Sequence, residues 1–297
     1  MNVDRPAVLV RAMTQDGSAR ALAIDATAIV RRAQEISGSS PVITAAYGRA
    51  LTAASLMGSL QKDPEDEMTL QIRGDGPAGT IVTASDYSGN VRGYVENPRV
   101  ELPLAANGKL AVGRAVGEGL LILSRKTGMG GEPYTAQNPL VSGEIAEDIA
   151  HYYATSEQIP TLIGLGVLVG PDESCLAAGG FLIQLLPYAD EEIIPLLERN
   201  ASAFGDVSRH IAEGMTPQQM LEALLKDIPF DLFDELEVGY RCPCTRERTE
   251  RALISLGRQQ LQELIDNDHG AQLTCRFCDN VYDYSEEELK KLLAQAL

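Results

Sequence analysis

Residues 242–278 read CPCTRERTERALISLGRQQLQELIDNDHGAQLTCRFC, and this stretch decides how the end of the chain must fold. It holds two close cysteine pairs, Cys242-Pro243-Cys244 and Cys275-Arg276-Phe277-Cys278, with thirty residues between Cys244 and Cys275. Each pair offers two sulfurs, and the helical pattern between them lets the chain fold back to surround one ion. Four thiolates suit zinc, which is borderline-soft and takes a tetrahedral shell without strain. An iron–sulfur cluster uses the same ligand type, but its usual spacings differ from this one. About 58 residues run from Tyr240 to the end. That is too few residues to rely on a hydrophobic core, and domains of this size usually need a staple.

Two roles remain open for such a cluster. One is a purely structural zinc site. The other is a redox switch, favoured by the less common CxC half and by Arg241, Arg246, Arg248 and Arg276 beside the sulfurs. Positive charge promotes thiolate and hence reactivity toward oxidants. The energetics permit switching, because structural zinc supplies about 10–16 kcal/mol of folding energy where a domain's net stability is about 5–15 kcal/mol. Oxidation that ejects the metal is therefore expected to unfold the terminal region. The fifth cysteine, Cys175, lies in an apolar run and is expected to be buried and inert. His269 lies between the pairs, but four thiolates already fill a tetrahedron. His151 and His210 carry no partner pattern.

The net charge is −17 over 297 residues. An acidic chain repels phosphate backbones, which argues against nucleic-acid binding. Much of the charge is concentrated: residues 190–240 hold 12 acidic and 3 basic side chains, a net of −9. Self-repulsion should make this segment less stable than its surroundings. There is no apolar run long enough to span a membrane, and Met1–Arg11 lacks a secretory pattern, so a cytoplasmic location is expected. There, free thiols point to metal or redox chemistry before structural disulfides.

Outward from the cysteines, the pattern predicts an α+β protein. Residues 27–36 and 41–62 read as helices, the second with Ser40 as N-cap, Pro41 at its first position and many small residues. Thr69–Arg73, Thr80–Asp86 and Val91–Glu96 read as a β-meander broken by Gly-rich turns. A helix is predicted after Ser142, then a hairpin of Ile163–Val169 and Cys175–Leu186, whose second strand is apolar enough to be buried on both faces. Residues 190–228 read as helical, with a capping box at Thr216-Pro217-Gln218-Gln219; their apolar stripes require a neighbour to dock on. Arg246–Leu256 and Gln259–Ile265 are helical, and Ser285-Glu286-Glu287-Glu288 opens a last helix. The expected organisation is an α+β core domain with antiparallel hairpins at 1–187, an acidic helical linker at 188–238, and a small zinc-binding domain at 239–297.

These residues resemble the 33-kDa redox-regulated heat-shock chaperone family (heat shock protein 33), marked by CxC, a spacer of this length and CxxC near the C-terminus. Gly131-Glu132-Pro133-Tyr134, Ser142-Gly143-Glu144-Ile145, Tyr152-Tyr153 with Ser156-Glu157-Gln158-Ile159-Pro160, and Ala177-Ala178-Gly179-Gly180-Phe181 are similar to the family's core sequence. So is Cys242-Pro243-Cys244 followed by Arg246, Glu247 and Arg248. The resemblance covers essentially the full chain, without departure at the cysteines. It implies a protein that is not an enzyme, inactive while one zinc is held by Cys242, Cys244, Cys275 and Cys278. Oxidation under peroxide or hypochlorite stress would release the zinc and pair Cys242 with Cys244 and Cys275 with Cys278. The active form would be a homodimer that holds partly unfolded client proteins without ATP. Consistent with this, the sequence has no GxxxxGK[ST] phosphate loop. Two other functions fit parts of the pattern. A zinc-ribbon adaptor or nucleic-acid factor would use the nearby arginines against the acidic total. A thiol–disulfide oxidoreductase would use Cys275 and Cys278, but such pairs usually open a helix.

Overall fold

The run of small residues after Pro41 forms a helix on which both sheets of the larger unit close. The computed structural model describes residues 6–126, 133–190 and 192–296, and its contacts divide the chain into two compact units, Met1–Arg241 and Cys242–Leu297. The first begins with strands β1 (Ala7–Thr14) and β2 (Ala19–Asp25) and helices α1 (Thr27–Ser37) and α2 (Pro41–Gly58). The meander β3 (Glu67–Gly74), β4 (Thr80–Asp86) and β5 (Val91–Val95) comes next, then α3 (Val112–Val116), β6 (Gly119–Lys126), β7 (Tyr134–Pro139) and α4 (Ala146–Tyr152). The hairpin β8 (Thr161–Val169) and β9 (Cys175–Leu185) precedes α5 (Ile193–Phe204), α6 (Val207–Ala212), α7 (Pro217–Leu224) and β10 (Phe230–Val238). The strands form two five-stranded sheets, ordered β10-β1-β2-β9-β8 and β5-β4-β3-β6-β7. Both are antiparallel throughout.

Helix α2 buries 16 of its 18 residues. Small side chains let the sheets approach: a Cβ at Gly58 would fall 1.8 Å from the Ser85 hydroxyl on β4. Ser40 stands at the N-cap, yet its hydroxyl donates to the Val100 carbonyl at 2.6 Å rather than accepting from the helix. The helix stops at Gly58, short of the predicted residue 62, in a tight turn where Leu60 and Gln61 donate to Met57 and Gly58. Pro64 lies just beyond and disfavours further helix.

Strands β1, β2 and β9 of the first sheet are covered on both faces, while the edge strand β10 is largely exposed. Leu9, Leu22, Ile24 and Leu182 point toward α2. The alternate residues Val10, Ala21, Ala23, Phe181 and Ile183 point the other way and are covered by Ile193, Leu197, Ile211, Met220, Leu221 and Leu224 of α5–α7. This is where the apolar stripes of the acidic segment go. Glycines let α6 come close: a Cβ at Gly179 would lie 2.3 Å from Ile211 Cδ1. The predicted capping box at Thr216 opens α7, with Thr216 and Gln219 bonded reciprocally.

The segment read as helical from 188 to 238 is helical only as far as Leu224; its end is strand β10, paired with the open edge of β1. The alternation in Phe230–Val238 is partly hidden by a bulge, since Arg11 faces Asp234 and Ala12 faces Leu232, leaving Phe233 as the extra residue. After β10 the chain is held on a strand of the second sheet. Val91 donates to the Gly239 carbonyl and accepts from Arg241, both at 2.9 Å, and the Tyr240 hydroxyl donates to the Gly93 carbonyl at 2.8 Å.

The family-like motifs of the core occupy structural positions. Asp148 accepts backbone N–H bonds from Val141 (2.7 Å), Ser142 (3.0 Å) and Ile145 (2.9 Å), which fixes the Ser142–Ile145 turn. Tyr152 donates to the Glu157 carboxylate, which pairs with Arg125 at 3.1 Å. Gly131 and Glu132 lie outside the described residues.

The second unit contains α8 (Arg246–Ser255), α9 (Arg258–Glu263), a π-helical turn at Leu264–Asp268, the hairpin β11 (Gly270–Thr274) and β12 (Val281–Ser285), and α10 (Glu286–Leu293). Its buried apolar set is small: Leu253, Leu261, Ile265, Tyr284, Leu289, Leu292 and Ala296. Ser285 and Glu288 form the predicted capping box of α10. Among the described residues no helix is long and apolar enough to cross a membrane.

Candidate metal centre

The CxC pair sits on the arm that enters α8, and the CxxC pair in the turn of the β11–β12 hairpin. Thr245 ends the arm as N-cap of α8, its hydroxyl accepting from Arg248 N–H at 3.3 Å. In the hairpin turn, Cys275 N–H donates to Asn280 O at 2.9 Å and Asp279 N–H to Cys275 O at 2.8 Å. Asp279 takes a left-handed conformation, φ 56°. This turn aims both sulfurs to one side.

The four sequence-predicted residues converge. The sulfurs of Cys242, Cys244, Cys275 and Cys278 all lie within 4.8 Å of one another, with Cys242–Cys275 at 3.7 Å and Cys244–Cys278 at 3.2 Å. A tetrahedral zinc with Zn–S of about 2.3 Å needs sulfurs about 3.8 Å apart, so this set fits such an ion. Both of these short distances join opposite pairs. In a tetrahedron every edge is alike, so these distances leave the choice of disulfide partners open.

Burial pushes the Cys242, Cys244 and Cys278 thiols up, and hydrogen bonding then separates them. Cys242 is pushed up to about 11, chiefly by burial. Cys278 is also raised, by burial and by its contact with Cys244. Burial pushes Cys244 up too, but hydrogen bonds from Tyr282 and from the neighbouring sulfurs outweigh it and bring the thiol down to about 7. Arginine charge was expected to support the thiolates. Arg246 instead pairs with Glu288 at 2.6 Å and lies 4.4 Å over the Tyr284 ring, while Arg248 donates to the Pro243 carbonyl at 3.2 Å. Tyr282 is the functional neighbour that cysteine spacing did not reveal; its position on β12, opposite Leu273, brings its hydroxyl to Cys244.

The other candidates lie apart from the cluster. Cys175 is buried in β9, its thiol pushed up to about 12 chiefly by burial. His269 is exposed, 3.3 Å from Glu286, and His210 meets the Phe204 carbonyl at 2.8 Å. The CxxC pair occupies a hairpin turn rather than a helix start, unlike the usual redox dithiol of an oxidoreductase.

The family model described as Hsp33 protein matches residues 8–285. The chain belongs to the Hsp33 family. Relatives named 33 kDa chaperonin include one from Acetivibrio thermocellus, 44% identical over 96% of this chain and 96% of the relative. Another, from Ruminiclostridium cellulolyticum, is 42% identical over 97% of this chain and 98% of the relative. The fold of this Hsp33 chain is similar to the crystal structure of the 33 kDa chaperonin (Heat shock protein 33 homolog) from Thermotoga maritima. The TM-score is 0.88 at 33% identity, covering 98% of this chain and 99% of that one. Membership places the chain among proteins named for chaperone function and carries with it the α+β fold and a four-cysteine cluster able to hold a metal.

Proposed function

We propose that this Hsp33 family member is a redox-regulated, ATP-independent holding chaperone of the cytoplasm, with one zinc ion held by Cys242, Cys244, Cys275 and Cys278 in its reduced, inactive form. The observation that carries this reading is the convergence of four sulfurs within 4.8 Å in a unit whose buried apolar set is small. When bound, the ion cross-links four thiolates and supplies the folding energy that so small a core lacks.

Peroxide oxidises each cysteine pair. One thiolate sulfur attacks a peroxide oxygen, an S–O bond forms, the O–O bond breaks, and the departing hydroxide takes a proton to give water. The second thiolate displaces the sulfenic hydroxyl, which leaves as water with another proton. Each disulfide thus costs the sulfurs two electrons and reduces one peroxide to two waters. Following the family resemblance, the pairs are Cys242 with Cys244 and Cys275 with Cys278. Disulfide sulfurs carry no charge to hold a cation, so the cross-link is lost and the unit unfolds.

Functionally, residues 1–187 act as the core, 188–238 as a releasable acidic cover and 239–297 as the switch. The clamp at Gly239–Arg241 ends where Cys242 begins, so loss of order in the switch removes support from β10 and then from α5–α7. Carboxylate repulsion within the cover favours its release. Release bares both its apolar stripes and the face of the first sheet beneath, surfaces suited to partly unfolded clients and to pairing of two oxidised copies. The chain acts by binding, not catalysis. The test is peroxide with mild heat on the reduced, zinc-loaded protein, following zinc release, helical signal and aggregation of a denatured client together. Full zinc loss without suppression of client aggregation rejects the proposal.

A further inference from the structure

We infer that Tyr282 is a positioning residue of the cysteine cluster, its hydroxyl holding the Cys244 sulfur and making Cys244 the slowest of the four to be oxidised. This rests on the reading of the cluster as a peroxide-sensitive zinc site.

Tyr282 lies on β12, four residues beyond Cys278, opposite Leu273 in the hairpin register. Its ring packs half-buried against the apolar core of the second unit, which fixes the direction of the hydroxyl. The hydroxyl donates to Cys244 Sγ at 3.2 Å, and Asn280 Nδ2 approaches the same sulfur at 3.8 Å. Backbone donors serve other members: Cys244 N–H faces the Cys242 sulfur and Asn280 N–H the Cys278 sulfur. Those donors survive every substitution but proline. The phenol is a side-chain donor that one substitution removes.

A hydrogen bond to a charged sulfur is stronger than one between neutral groups and engages a sulfur lone pair. That lone pair is what attacks peroxide. In the first oxidation step the sulfur gives two electrons, forming S–O while O–O breaks, and the leaving hydroxide is protonated to water. With all four sulfurs present as thiolates, as zinc ligation requires, nucleophilicity falls as donors stabilise the anion. Cys244 has two side-chain donors, Tyr282 and Asn280, against one backbone N–H at Cys242, so Cys242 is the attacking member of its pair, and Cys244 closes the disulfide on it.

The experiment uses the full chain, reduced and zinc-loaded, given limiting hydrogen peroxide with a sulfenic-acid trap and peptide mass mapping. In the wild type, Cys244 should carry the least trap of the four. Tyr282→Phe keeps the ring and removes the donor. It should raise trapping at Cys244 about tenfold relative to the other three, the scale typical of lost outer-shell partners, and release zinc faster from an unchanged single site. Should that variant fail to fold or to keep zinc, the wild-type trapping order still decides. Even trapping across the four in the wild type overturns the inference, as does an unchanged Cys244 yield in a folded, zinc-loaded Tyr282→Phe. Zinc released by peroxide with evenly spread trapping rejects the role of Tyr282 alone. A wild type that holds no zinc, or loses none to peroxide, rejects the cluster reading and this inference with it.

Discussion

Gly166 of β8 and Ser208 of α6 are in direct apposition: a Cβ built on Gly166 would lie 2.7 Å from the Ser208 backbone nitrogen and 3.0 Å from its Cβ. Ser208 is buried, and its side chain is tied to Asp206 at 2.8 Å, so neither partner gives way cheaply. Gly166→Ala should push α6 off the sheet at a cost of about 1–3 kcal/mol, the usual range for overpacking. The reduced, zinc-loaded variant should melt earlier and suppress client aggregation without oxidant. Denaturant titration and a client-aggregation assay check both. Lower stability with no gain in holding would mean that the surface under α6 is not where clients bind.

Cys175 separates the inert thiol from the reactive ones. Burial beneath α1 and within β9 raises its pKa to about 12, so almost none is thiolate at pH 8. Treating the reduced, metal-stripped protein, its larger unit still folded, with a thiol reagent at pH 8 should modify four cysteines and spare Cys175. Modification of all five at one rate, without unfolding, would contradict the packing of β9.

The cluster was legible because metal ligands are constrained by type and spacing: Cys242, Cys244, Cys275 and Cys278 read as one site and lie together. The central helix was legible because small residues and Pro41 have local meanings. What was hidden depends on distant partners. The first strand, Ala7–Thr14, sits in a stretch too short and mixed to signal itself, and becomes a strand by pairing with β2 and β10. Phe230–Val238 is acidic and interrupted by the Phe233 bulge, so its period of two is broken where a reader would look for it. Tyr282 carries no signal beyond alternation in β12; only the fold brings its hydroxyl to a sulfur.

Disulfide partners are a separate question from sulfur distances. Cys244 and Cys278 lie 3.2 Å apart, yet the proposed pairing joins Cys242 to Cys244 and Cys275 to Cys278. The first oxidised sulfur weakens the cluster; as the arm and the hairpin turn then separate, only neighbours in sequence stay within reach, and their disulfides complete the loss of the cross-link. Peptide mapping after full peroxide oxidation should show two disulfides, each within one short peptide. A dominant Cys244–Cys278 or Cys242–Cys275 crosslink would indicate closure inside the folded cluster and would leave the unit stapled rather than unfolded.

Proton release gives the sharpest test of metal binding. A bound thiolate is deprotonated, so any sulfur still a thiol must lose its proton when the ion enters. With Cys244 at about 7 and Cys242 at about 11, and Cys278 raised, Cys244 is already a thiolate just above pH 7 while the other two are thiols. Zinc binding there displaces at least two protons, and below pH 7 at least three. Ligation lowers the effective pKa of these groups, so the stability they confer is present at higher pH and is lost as pH falls. Log affinity should therefore climb at least two units per pH unit from pH 7 to 8, whether the metal-free thiols sit in the folded cluster or titrate at their ordinary pKa of about 8.5, and more steeply from pH 5.5 to 6.5. Competition with a chelator of known proton affinity measures this directly, with helical content of the metal-bound form falling in parallel at the acidic end. An affinity that stays flat across that range would show that the four sulfurs are not the ligands.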